Sequence, residues 1–208
     1  MKEINLKGNI YLHDLEGSSE WYYAMNEPYG DLYEAQEIYQ MNGSIKESNL
    51  YLVHYPDGQV LEPMATKKNS CFGKPVYHDG DIYLLAVDFA ASKIEIYRWN
   101  KDLSALGSLS LDEIEDCYNL MLHVKPLVLA RQKLDLFEIV WPEKKVYQMS
   151  MHESFMHRDG DLLVFSEWFE DPDYREEVVF RDYETGQVAK RLKGTVHVMP
   201  NGEAWHVY

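Results

Sequence analysis

Asn49-Leu50-Tyr51-Leu52-Val53 is a short apolar and aromatic run followed by Asp57-Gly58, a tight-turn pair. It reads as a β-strand leaving into a hairpin turn. Four other segments resemble it: Asn9-Ile10-Tyr11-Leu12-His13, Lys93-Ile94-Glu95-Ile96-Tyr97, Lys133-Leu134-Asp135-Leu136-Phe137 and Glu177-Val178-Val179-Phe180-Arg181. Their starts are spaced by 40, 44, 40 and 44 residues, and the step from Glu177 through Tyr208 round to Asn9 is again 40. A further apolar run follows each segment: Trp21-Tyr22-Tyr23, Val60-Leu61, residues 106–111, Val146-Tyr147 and residues 188–192. Upstream lies a second echo, such as Val76-Tyr77-His78-Asp79-Gly80-Asp81-Ile82 and Phe155-Met156-His157-Arg158-Asp159-Gly160-Asp161-Leu162. Leu122-His123-Val124 and Val196-His197-Val198 continue the series, with a weaker copy at Ile38-Tyr39-Gln40-Met41-Asn42-Gly43-Ser44-Ile45.

Four strands in roughly 42 residues is the size of a propeller blade. The expected fold is therefore an all-β, five-bladed β-propeller, forming one domain over residues 1–208. One blade is expected to be completed by the N- and C-terminal strands, because Trp205-His206-Val207-Tyr208 has no outer hairpin after it and residues 9–23 have no inner pair before them. Pairing the two ends would remove two raw sheet edges. A β-sandwich also has many short strands, but nothing in it requires a constant period. Only residues 28–41 and 111–118 have helical character. The first, placed at about 26–37, reads as an insertion on one rim.

Composition narrows the function. With 20 Lys and Arg against 35 Asp and Glu, the 208-residue chain carries a formal charge of −15 and a pI near 4.9. Nucleic-acid binding needs a basic face to displace counterions from phosphates, so neither nucleic acid nor an anionic membrane is an expected partner. Met1-Lys2-Glu3-Ile4-Asn5 opens no long apolar run, so no signal peptide is expected. Two cysteines, Cys71 and Cys117, make no disulfide framework and show no metal spacing, which favours a cytoplasmic setting.

Candidate sites follow from the repeat. Inner strands of a propeller face a central channel, and four of them carry histidine: His78, His123, His157 and His197. A ring of imidazoles could hold a divalent metal, yet a structural role within a repeat accounts for them better, and no metal or other cofactor is assigned. His152-Glu153-Ser154-Phe155-Met156-His157 is one residue too long for the helical zinc-peptidase pattern. No nucleophile elbow or phosphate loop is present, and Cys117 reads as core. Asp79-Gly80-Asp81 and Asp159-Gly160-Asp161 suit tight turns better than paired-carboxylate hydrolysis.

The insertion and the stretch 168–174 break the repeat, and breaks map to loops on a binding face. Both mix rings with carboxylates, which gives Tyr29, Asp31, Tyr33, Trp168 and Asp171 as ligand-binding candidates. The expectation is a non-catalytic module that binds a protein or carbohydrate through this acidic, aromatic rim. The alternative is a hydrolase or lyase acting on a small molecule or glycan at the channel mouth.

Overall fold

The computed structural model describes residues 1–8, 11–26 and 29–208. Asn9 and Ile10, which open the first repeat segment, and Glu27 and Pro28, in the expected insertion, lie outside the described residues. The chain divides into two compact units, Met1–Leu122 and His123–Tyr208. Nearly all regular structure is strand, arranged in consecutive antiparallel sheets with the strand order of propeller blades.

In the first unit, β1 (His13–Asp14), β2 (Trp21–Met25), β3 (Leu50–His54) and β4 (Val60–Leu61) form one sheet in that order. Between β2 and β3 the chain makes a helix, α1 (Leu32–Asn42). Its start is set by Asp31, whose side chain accepts from the Glu34 amide at 2.8 Å. Its end is set by Gly43, at φ 67°, whose N–H donates to the Tyr39 carbonyl at 2.7 Å. Leu32, Ala35 and Gln36 fall on one side at helical spacing, and all three are buried.

The second sheet pairs β5 (Ser70–Phe72) and β6 (Val76–His78) with β7 (Asp81–Asp88), followed by β8 (Lys93–Asn100) and β9 (Asp102–Ser110). The break between β5 and β6 falls at Gly73, where a Cβ would come within 2.8 Å of the Leu85 side chain. Glycine is what lets the chain pass there. Alternate residues of β3 and β7, Leu50, Leu52, Ile82, Leu84 and Ala86, make a core with Leu15, Phe72 and Trp99. The other face of β3, Tyr51 and Val53, packs on Leu6 and Ala24.

The second unit begins within β10 (Met121–His123), the first strand of a sheet continued by β11 (Val128–Lys133), β12 (Leu136–Trp141) and β13 (Lys145–Gln148). A fourth sheet has strands of six to eight residues throughout: β14 (Glu153–Asp159), β15 (Leu162–Phe169), β16 (Arg175–Asp182) and β17 (Val188–Lys193). Phe137, Ile139, Leu163, Phe165 and Val179 share its core with Tyr147. Glu153, fully buried, takes two bonds from Arg181, Nε to Oε2 at 2.7 Å and Nη2 to Oε1 at 2.6 Å. Arg181 also donates to the Gly186 carbonyl at 2.9 Å. Last come β18 (Thr195–Val198) and β19 (Ala204–Val207), a two-stranded sheet.

The architecture therefore has four blades among the described residues, not the expected five. The fifth was to join the chain ends, but β1 pairs with β2 inside the first sheet, and β19 pairs with β18. The reason is α1. Residues 38–45, expected as a faint inner strand of the first blade, are helix and its exit, so they supply no strand there. β1 and β2 take those inner places, with Trp21–Met25 paired along Leu50–His54. Among the described residues, the expected outer hairpin is thus used up within the first sheet. A smaller shift affects Lys133-Leu134-Asp135-Leu136-Phe137: Lys133 ends β11, Leu136 starts β12, and Leu134 turns between them at φ 52°. Of residues 111–118, only Leu111–Glu113 is helical, as a 3₁₀ turn.

Candidate functional site

Where the helix enters the first unit it leaves a cavity of about 170 Å³. Met25 reaches it from the end of β2, and Tyr29, Gly30 and Asp31 from the loop into α1. Leu32 and Ala35 present the helix side; Cys71 and Phe72 come from β5, with Gly73 and Lys74 just beyond. Cys117, Asn119, Leu120 and Met121 close it from the segment leading into β10. The wall is mainly apolar with a few polar groups, the usual composition of a ligand site.

Backbone and side-chain bonds hold this wall in place. The Lys46 amide donates to the Tyr29 hydroxyl at 2.7 Å, tying the loop before α1 to the chain after it. Ser48, also on the cavity, donates from Oγ to the Asn26 carbonyl at 3.1 Å, and the Asn49 amide donates to the Asn26 side chain. Buried Gln36 accepts from the Cys117 amide at 2.8 Å, so the helix fixes the segment across the cavity. Burial pushes the Cys71 thiol up to about 11. At neutral pH it is a protonated thiol and a poor nucleophile.

The predicted ligand-binding residues are divided by this geometry. Tyr29 and Asp31 line the cavity. Tyr33, one turn on, meets Tyr118 edge to face at 5.5 Å. Trp168 is in β15, not in a loop, and meets the His152 ring edge-on at 4.3 Å. Asp171 lies in the short connection to β16, where its carbonyl accepts from Arg175 Nη1 at 2.8 Å. Trp168 and Asp171 belong to the second unit, and neither lines the cavity.

The four histidines do sit on the first strands of their sheets: His78 ends β6, His123 ends β10, His157 is within β14 and His197 within β18. Their surroundings differ. His78 Nε2 is 3.5 Å from Asp79, and His197 is exposed opposite Trp205. His123 lies edge-on to Phe155 at 4.9 Å, and burial holds its pKa down to about 4. Burial also lowers the pKa of His157, whose Nδ1 is enclosed without a hydrogen-bond partner, where β14 is irregular between Phe155 and His157. Among the described residues, no three His, Cys, Asp or Glu side chains group as a metal would require. His157 stands on a strand and His152 before it, so the helical zinc pattern has no helix to occupy. Asp79 and Gly80 turn at φ 50° and 86°, the two positive values of a type I′ hairpin.

The sequence reading missed most of the wall. Cys71, Lys74, Cys117, Met25 and Met121 are separated by up to 96 residues and share no motif. The available signal was that the repeat breaks near Asp31.

No family model and no curated protein matches the chain. Among solved structures it is similar to Pyrococcus horikoshii acylaminoacyl peptidase (uncomplexed), at 10% identity and a TM-score of 0.41. The match covers 86% of this chain and 36% of that one, so this chain spans about a third of the length of the protein it resembles. No helix among the described residues is long and apolar enough to cross a membrane.

Proposed function

We propose that this chain is a non-catalytic binding module whose ligand occupies the cavity at the head of α1. The supporting observation is that the one long insertion in the strand repeat, through Tyr29, Asp31, Leu32 and Ala35, forms a wall of an apolar cavity with a few polar groups. The size suits a single ion or a molecule of few heavy atoms; apolar cavities of about 150 Å³ hold benzene. A carbohydrate or peptide would enter only by one terminal group.

Amide chemical shifts read during titration with a panel of small ligands and ions test this. The expected result is movement concentrated at Gly30, Gly73 and Asn119, abolished in Ala35→Phe, which fills the cavity. Shifts concentrated at Trp168 and Asp171 instead would move the site to the second unit and overturn the assignment.

A further inference from the structure

The chain has two cysteines and nine methionines. Both cysteines and two of the methionines, Met25 and Met121, border the same cavity of about 170 Å³. Four sulfur-bearing residues, at positions 25, 71, 117 and 121, thus line one small space. Neither cysteine is in a disulfide, and Cys71 and Cys117 are 6% and 1% exposed.

Their supports differ in a useful way. Cys71 is fixed by β5, in register with Val87 of β7. Cys117 is fixed through its amide, held by Gln36 of α1. The two methionines have long, unbranched side chains that swing to fill a gap. Two anchored thiols with two adaptable thioethers form a soft donor set. Thiolate and thioether sulfur favours Cu(I), whereas imidazole and carboxylate favour harder or borderline divalent ions. Among the described residues, no histidine borders the cavity.

Building on the reading of this cavity as a ligand site, we propose that its ligand is a soft monovalent metal ion, Cu(I). Cys71 and Cys117 bind it as thiolates, and Met25 and Met121 as thioethers. Charge and atoms balance without a redox step: Cu(I) and two thiols give a copper bis-thiolate of charge −1 and two released protons. The Lys74 ammonium, on the same wall, supplies the compensating positive charge.

The test uses the full chain, reduced and without oxygen, competing for Cu(I) against a chromophoric chelator, with Ag(I) as a redox-inert second probe. One equivalent of each metal is expected per chain. Cys71→Ser and Cys117→Ser should each lose the site. Met25→Leu, which keeps the volume, should weaken binding about tenfold while unfolding at the wild-type temperature. Wild-type protein that withdraws no Cu(I), serine variants that bind as wild type, or Zn(II) binding as tightly as Cu(I) would each overturn the proposal. Ala35→Phe separates the two readings. If Cu(I) is refused but another ligand gives the cavity shifts that Ala35→Phe abolishes, the metal assignment falls and the ligand site stands. If Cu(I) binds Ala35→Phe unchanged, the metal lies elsewhere and the assignment falls.

Discussion

The first and fourth sheets have the same strand order and opposite characters. In the first, β1 and β4 have two residues each and the connection from β2 to β3 holds an eleven-residue helix. In the fourth, strands run six to eight residues, and the connection from β15 to β16 is short. The fourth spends its buried polar groups on itself: Glu153 with Arg181, and Glu167 with Arg191, which also reaches Glu177 at 3.2 Å. In the first unit, buried Gln36 holds a loop across a cavity. The comparison teaches that a regular blade pairs its buried charges within itself, while an interrupted one leaves space bordered by residues from distant segments.

The largest expected effect tests the self-contained blade. Glu153→Ala leaves Arg181 charged, buried and without its carboxylate. Breaking such a pair costs about 3–5 kcal/mol. Urea unfolding should show that loss, whereas Glu34→Ala on the exposed start of α1 should change stability little. Wild-type stability in Glu153→Ala would break the contrast.

A middle-sized effect concerns His123. Its folded pKa, about 4, lies below the 6.5 of the unfolded chain. Between those values the unfolded chain takes up a proton that the folded ring refuses. The stabilisation is present above pH 6.5 and is lost as pH falls toward 4, on the order of 2 kcal/mol with allowance for partial exposure. The lowered pKa of His157 acts in the same direction. His123→Gln should flatten the dependence of stability on pH across this window; an unchanged slope would remove His123 as its source.

The smallest effect falls on the interrupted blade. Asp31→Ala removes the helix cap and should cost about 1 kcal/mol. Faster hydrogen exchange at Leu32, Tyr33 and Glu34, without change at β15 or β16, would sharpen the view that the helix entrance is a local feature.

Many individual strands were readable from local chemistry. Period-two alternation located β3, β7, β8 and β16, and Asp79-Gly80 announced its own hairpin. The helix character of residues 28–41 was readable too, since Asp31 and Gly43 are capping residues. What the alternation could not reveal was which hairpin belongs to which sheet. Trp21–Met25 fits equally well as an outer or a second strand, because its residues are apolar on both faces. Only the presence of α1 assigns it, and with that assignment the fifth blade disappears.

By itself, the amino-acid order determined an all-β chain of repeated hairpins, a break near Asp31 and a net charge of −15. Those are properties of neighbouring residues: alternation, turn chemistry and net charge. Tertiary structure alone decided the blade count and the meeting of Met25, Cys71, Cys117 and Met121. Such contacts depend on which strand edges pair and on how much volume a helix leaves behind, quantities that arise only when distant segments share one core.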